Sequence, residues 1–166
     1  MDIREGMPVL ARHEGEWDGE YIWVDANGMV IDRHRAQLTC RFPQDGSFAY
    51  WQTNRYTWPD GRTEVNEFPA VYHDNQIWFD TERLAGHAWE VDNRVVILTW
   101  VYKHDPSGYF YELIHLSDDG NYRTRTWHFI QDGKCTKRTL INEVHISSTV
   151  TTPAPETSHS SKGGGA

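Results

Sequence analysis

A chain of 166 residues has room for one hydrophobic core rather than two. Its formal net charge of −8, with 16 Lys and Arg scattered among 24 Asp and Glu, shows no basic face and argues against nucleic acid as a partner. No charged segment precedes an apolar run at the N-terminus, and no apolar stretch nears the ~20 residues that span a bilayer; the expectation is a soluble, cytoplasmic protein with no membrane partner.

Residues 1–14 read as an N-terminal cap with a short helical turn, in which Met7, Val9 and Leu10 cover one end of the domain. The stretch from His13 to Tyr21 then sets Trp17 between Gly15 and Gly19 at the start of an extended run. Glycines this close to an indole mark a place where backbone passes nearby and the ring plugs a gap. From Trp17 onward turn signals recur: Asn27-Gly28, Asp45-Gly46, Pro59-Asp60-Gly61, Asp74-Asn75, Asp92-Asn93, Pro106-Ser107-Gly108, Asp119-Gly120 and Asp132-Gly133. The runs between them mix 13% aromatic residues with polar ones at a mean hydropathy of −0.71, which suits strands with one buried and one wet face. This pattern predicts an all-β fold: a single antiparallel meander of about ten strands over residues 15–146, closed into a barrel. No long amphipathic helix interrupts it. Residues 147–166 are rich in Thr, Ser, Pro and Gly and are expected to be a disordered tail. Cys40 and Cys135 fit no metal spacing and read as reduced thiols.

The turns also assign faces. A two-residue Asn27-Gly28 turn opposes Tyr21 to His34, Gly19 to Ala36 and Trp17 to Leu38, and directly opposed residues share a face. Three-residue loops at Asp45-Gly46 and Asp60-Gly61 oppose His34 to Tyr56, Ala36 to Asn54 and Leu38 to Gln52, and then Asn54 to Asn66, Gln52 to Phe68 and Phe48 to Tyr72. With Asp119-Gly120 as a turn, Leu116 meets Arg123, Ile114 meets Arg125 and Glu112 meets Trp127. With Asp132-Gly133 as a turn, Arg125 meets Leu140, Arg123 meets Asn142 and Trp127 meets Arg138. That inner face carries Phe110, Ile114, Leu140, Val144 and Ile146 together with charges. An unpaired buried charge costs several kcal/mol, so Glu112 and Arg125 are expected to pair diagonally.

The Gly15-Glu16-Trp17 opening of such a meander resembles the calycin superfamily of lipocalin-like barrels. In that superfamily the Trp closes the barrel base and an Arg from a late strand packs over it, a role the resemblance offers to Arg138 or Arg125. The run from Gly15 to Tyr21, with Tyr111-Glu112-Leu113 and Arg123-Thr124-Arg125-Thr126-Trp127, also looks like an uncharacterised lipocalin-like family of cyanobacteria and proteobacteria. Nitrobindin-type haem barrels share a similar opening, but the chain lacks their longer Gly-rich start, so no haem ligand is carried over.

The inward polar residues define a candidate site. His34 facing Tyr21 and Tyr56 offers a base beside phenolic acids, because an imidazole with pKa ~6.5 transfers protons near neutrality. Glu112 beside Arg125 offers a second acid/base group, and its plainer reading is a structural salt bridge. Trp23, Gln52, Asn54, Asn66, Phe68, Tyr72, Arg123, Arg125 and Asn142 are the candidate ligand-binding residues. The plainer reading of the His34 cluster is a satisfied polar network closing one barrel end. No His-x-His spacing appears, so neither a metal nor a cofactor is expected. There is no Gly-x-Ser-x-Gly elbow, phosphate loop, dinucleotide fingerprint or Cys/His nucleophile pair. The expected function is a cofactor-independent lyase, isomerase or cyclase acting on a small hydrophobic or aromatic molecule by proton transfer. The alternatives are a non-catalytic carrier of a hydrophobic ligand or pigment, and a subunit that uses exposed aromatics for protein contact. A homo-oligomer is left open.

Overall fold

In the computed structural model, which describes Asp2–Ser147, ten antiparallel strands follow one another around a closed barrel. Two short helices, α1 (Ile3–Gly6) and α2 (Pro8–Ala11), precede β1 (Gly15–Asp25), β2 (Val30–Arg41), β3 (Tyr50–Thr57), β4 (Thr63–His73) and β5 (Gln76–Asp80). The chain continues through β6 (Leu84–Glu90), β7 (Val95–Tyr102), β8 (Asp105–Leu116), β9 (Tyr122–Gln131) and β10 (Lys134–Ser147), and β10 pairs with β1 to close the sheet. Closure leaves no free edge, so polar strands of this kind need no other layer to protect them. The expected tail begins at Ser147, the last residue of β10; the rest of it lies outside the described residues.

The β1–β2 register is the expected one, with Tyr21 opposite His34, Gly19 opposite Ala36 and Trp17 opposite Leu38. Two departures cancel to produce it. The Asp25 N–H donates to the Met29 carbonyl, so the turn holds three residues and Gly28 takes φ +83°. A bulge then sets Val24 against Val30 but Trp23 against Asp32, which absorbs the extra residue.

Between β2 and β3 the connection spans residues 42–49, longer than the expected turn, and Ala36 pairs with Tyr56, Leu38 with Asn54 and Cys40 with Gln52. A two-residue shift keeps every side chain on its face. It does replace the expected His34–Tyr56 pair, setting Trp58 beside His34 with ring centroids 4.5 Å apart. Asn54 meets Asn66 and Gln52 meets Phe68 as expected, whereas Phe48 lies in the connection and does not pair with Tyr72.

β8 and β9 pair as the Asp119-Gly120 turn predicts. β10 does not follow its turn. A bulge between Cys135 and Lys137 opposes Arg125 to Ile141, Arg123 to Glu143 and Trp127 to Thr139. A one-residue slip reverses faces, so Thr139, Ile141 and Glu143 are buried inside while Arg138, Leu140, Asn142, Val144 and Ile146 are exposed.

The helices close one end of the barrel. Met7, Val9 and Leu10 are buried there; the Leu10 N–H donates to Glu90 at 2.7 Å, and the Arg12 guanidinium donates to the carbonyls of Asn93, Ser117 and Asp118. Trp17 is fully buried above them, donating from Nε1 to the His13 carbonyl at 2.9 Å. The arginine over its ring is Arg123, 4.3 Å from the centroid, and not Arg125 or Arg138. Arg123 is ion-paired with Glu143 and lies 3.1 Å from His13 Nδ1. Removing one partner of such a buried pair costs about 3–5 kcal/mol, so this cluster seals the base.

Candidate functional site

Above the base, the strands enclose a cavity of about 160 Å³ that opens at the opposite end of the barrel. Its two sides differ in chemistry. β1 to β4 supply Tyr21, His34, Gln52, Asn54, Tyr56 and Asn66, while β5 to β9 supply Phe79, Leu84, Leu98, Trp100 and Trp127. With Trp23 and Phe68 also on the first side and Glu112 and Arg125 on the second, a molecule inside would meet mostly hydrogen-bonding groups on one side and mostly apolar surface on the other.

On the polar side, β2 carries Asp32 and His34 two residues apart, so both point inward. His34 Nδ1 lies 2.8 Å from Asp32 Oδ2, and Trp58 Nε1 donates to both Asp32 oxygens at 3.0 and 3.1 Å. Burial pushes the Asp32 carboxyl up, but donation from His34 and Trp58 outweighs it and holds the group below its ordinary value. A carboxylate at Nδ1 fixes the proton there and leaves Nε2 as the basic nitrogen. The His34 ring, 2% exposed, is enclosed by Tyr21, Tyr56, Trp23 and Trp58 at centroid distances of 5.2, 5.0, 5.7 and 4.5 Å.

The inward residues of β3 form a head-to-tail chain toward the mouth. The Tyr50 hydroxyl donates to Gln52 Oε1 at 3.0 Å, Gln52 Nε2 to Asn54 Oδ1 at 2.8 Å, and Asn54 Nδ2 to the Tyr56 oxygen at 2.8 Å. The Tyr56 oxygen thus accepts from below, and a side-chain hydrogen bond also links it to Tyr21. Burial pushes this phenol up to about 12, so it remains a donor across the physiological range.

Below Tyr21 lies the expected ion pair: Arg125 Nε donates to Glu112 Oε1 at 2.6 Å, and its Nη1 donates to the Tyr21 oxygen at 3.0 Å. Burial raises the Tyr21 phenol well above its ordinary value, against the opposing influence of Arg125. Two protonated phenols, one held by an amide chain and one by a guanidinium, therefore face the imidazole.

Ten of the expected residues line this cavity: His34, Tyr56, Tyr21, Glu112, Trp23, Gln52, Asn54, Asn66, Phe68 and Arg125. Asn66 is committed at the rim, donating to Glu64 at 2.7 Å and accepting from Arg83. Three expected residues lie elsewhere. Arg123 belongs to the base, and Tyr72 donates to Asn75 at 3.0 Å beneath α1, close enough that a Cβ on Gly6 would strike its hydroxyl. Asn142 is on the outside because of the β10 bulge. Asp32 and Leu98 belong to the site although they were not among its expected residues, and the tryptophans Trp58 and Trp100 line the cavity with Trp23. Asp32 carried a legible signal, its parity with His34 on one strand.

Among the described residues no group of three or more His, Cys, Asp or Glu could hold a metal ion, and Cys40 and Cys135 are both free.

No protein-family model matches the chain, and no curated protein matches it. Solved structures do. A protein of unknown function from the DUF3598 family of Nostoc punctiforme aligns at TM-score 0.63 and 16% identity, covering 82% of this chain and 49% of that one. The chain therefore spans about half the length of that protein. The S-type phycobiliprotein lyase CPES from Guillardia theta aligns at TM-score 0.63 and 12% identity, covering 90% and 95% of the two chains. Rv2717c of M. tuberculosis aligns at TM-score 0.60 and 10% identity, covering 86% and 98%. At these identities the likeness is one of fold, and the fold is a closed antiparallel β-barrel of ten strands.

Proposed function

We propose that this barrel binds one ring-sized hydrophobic or aromatic molecule and moves a proton on it, as a cofactor-independent lyase, isomerase or cyclase. The observation that carries the reading is the 2.8 Å contact of Asp32 with His34 Nδ1, which turns a basic Nε2 away from that carboxylate in a ring enclosed by two protonated phenols. The size of the ligand is set by the cavity. A dry cavity of about 150 Å³ accepts benzene, and this one is about 160 Å³. Trp100, stacked on Phe110 at 4.6 Å, and Trp127 offer planar surface to such a ring.

The chemistry is written for a substrate with a C–H bond beside a carbonyl. His34 Nε2 takes the proton, the C–H electron pair forms a C=C bond, and the carbonyl π pair moves to oxygen. That oxygen receives a hydrogen bond or proton from Tyr56, with Tyr21 as a second donor oriented by Arg125. Return of the proton to another atom gives an isomer, and expulsion of a β-substituent gives a lyase product. Glu112 acts through Arg125 as a positioning residue. That a barrel of similar shape is a phycobiliprotein lyase in Guillardia theta supports a ligand-holding interior.

The test is solvent exchange. Purified protein in D₂O is mixed with a panel of cyclic ketones and deuterium entry beside the carbonyl is followed by NMR. Wild type should accelerate exchange on at least one compound; His34→Gln should lose about 10²-fold or more of that rate, and Tyr56→Phe a smaller factor. Exchange that survives His34→Gln unchanged sinks the assignment.

The fixed, protonated donors also favour a second reading, a carrier that orients a hydrophobic ligand without reacting. A pigment of several conjugated rings exceeds this cavity and would project from the mouth. The carrier reading requires tight retention of a ring compound with no exchange or turnover.

A further inference from the structure

The β10 bulge that carries Asn142 outward carries Lys137 inward. In the register set by the turn alone, Arg138 faces Trp127; with the bulge, the inward row of β10 reads Lys137, Thr139, Ile141, Glu143 from mouth to base. Bulges beside sites re-aim side chains in this way. The half-buried Lys137 ammonium lies 4.5 Å from the centroid of Trp23 and 5.8 Å from that of Trp127, and both rings line the cavity.

Its surroundings leave it without a salt-bridged anion. Asp32 attracts it but forms no salt bridge with it, its two oxygens accepting instead from Trp58 and His34. Of two other cations at this end, Arg83 is engaged with Asn66 and Glu64, whereas Arg62 lies on the Trp58 ring, 4.2 Å from its centroid. Among the described residues, Lys137 Nζ has no hydrogen-bond acceptor and no salt bridge. Indole faces hold a cation by its charge but accept none of its three directional hydrogen bonds.

We propose that Lys137 is the anion anchor of the cavity, and that the ligand is a single-ring carboxylate with its ring between the aromatic side and His34 and its carboxylate on Lys137. Trp23 is one inward residue above Tyr21 on β1, a rise of about 7 Å. That is roughly the span from a ring carboxylate to a substituent on the opposite side of the ring. A ligand held at Lys137 would therefore present its far substituent to Tyr21, Tyr56 and His34. The anchor rests on reading the cavity as a ring site and is independent of whether a proton moves.

A matched pair of probes tests it: 4-hydroxybenzoate and its neutral isostere 4-hydroxybenzamide, titrated into the full chain with tryptophan fluorescence as readout. Wild type should bind the carboxylate about tenfold or more tighter than the amide, as a charge-assisted hydrogen bond implies. Lys137→Gln should abolish that preference while leaving amide affinity unchanged, and Lys137→Arg should retain most of it. Equal affinity of wild type for the two probes, or an unchanged preference in Lys137→Gln, overturns the anchor while the ring site stands. Failure of wild type to bind either probe overturns the ring site and the anchor with it. The wild-type comparison decides the matter even if the Gln variant does not fold.

Discussion

Asp32 and His34 form a carboxylate–imidazole pair on one inward row of β2, 2.8 Å apart at Oδ2 and Nδ1, with the Trp58 indole donating to the same carboxylate. Because the Asp32 carboxyl is held below its ordinary value, the unfolded chain binds its proton more readily than the folded one. The stabilisation is therefore fully present above about pH 4 and is lost as the pH falls through the lowered folded-state value. Asp32→Asn should destabilise by about 1.5–3 kcal/mol at pH 7, the range for a hydrogen bond to a charged group. Urea denaturation of both proteins from pH 7 down to pH 3 should show their difference shrinking below about pH 4. A difference that does not change with pH would mean the carboxylate is not the stabilising form.

Arg125 and Glu112 pose a different question, since both are buried and the Tyr21 oxygen accepts from the same guanidinium. Glu112→Gln or Arg125→Met alone strands a charge and should cost about 3–5 kcal/mol. The double variant strands none and should cost clearly less than the sum of the two. A double-mutant cycle by urea denaturation measures this coupling, and strict additivity would show that the pair is not coupled.

Much of this was legible in the sequence, and the exceptions have physical causes. The β8–β9 register follows from Asp119-Gly120 because no bulge interrupts it, and it places Glu112 and Arg125 on neighbouring inward positions. The face of β10 was illegible because its outer row, Leu140, Val144 and Ile146, is itself apolar, so hydrophobic pattern points to the wrong side. The residue absorbing the bulge, Thr136, is an ordinary strand former and leaves no local mark. That single slip hid Glu143, the partner of Arg123, and Lys137, while bringing Asn142 wrongly inside. The β2–β3 shift did less damage because an even displacement preserves faces: Gln52, Asn54 and Tyr56 reach the cavity under either register. Asp32 was within reach of the same parity count that found His34.

Gly19 is fixed by a close approach and not by its conformational freedom. A Cβ at this position would overlap the Asn142 carbonyl oxygen and lie 2.6 Å from Glu143 Cγ, across the β1–β10 pair. The first of these is backbone in a closed barrel and has nowhere to move. Gly19→Ala should therefore cost about 3 kcal/mol, the upper part of the overpacking range, and should weaken the base around Glu143 and Arg123. Gly86→Ala should behave similarly, because its Cβ would overlap the Thr99 carbonyl oxygen across β6–β7. Thermal denaturation of the two variants checks both; a loss below about 0.5 kcal/mol in either would show that the strands separate to admit a methyl group.

The phenols facing His34 carry a signature at the opposite end of the pH scale. Burial holds Tyr56 up at about 12 and raises Tyr21 as well, whereas an unfolded tyrosine ionises near pH 10. The folded state therefore binds these protons more tightly than the unfolded chain does. Stability is fully present below about pH 10 and is lost as the pH rises through the folded values. For Tyr56 the separation from the unfolded value amounts to about 2–3 kcal/mol once pH 12 is reached. Tyr56→Phe has no phenol to ionise, so its stability should fall less steeply than that of wild type between pH 10 and 11.5. Tyr21→Phe should show the same flattening, combined with a loss at neutral pH because the Arg125 donor loses its acceptor. Urea midpoints at pH 8, 10 and 11.5 for the three proteins separate these effects. If Tyr56→Phe tracks wild type across that range, the phenol meets solvent in the folded protein. Water would then reach the hydroxyl that the proposed chemistry places at the substrate's carbonyl oxygen.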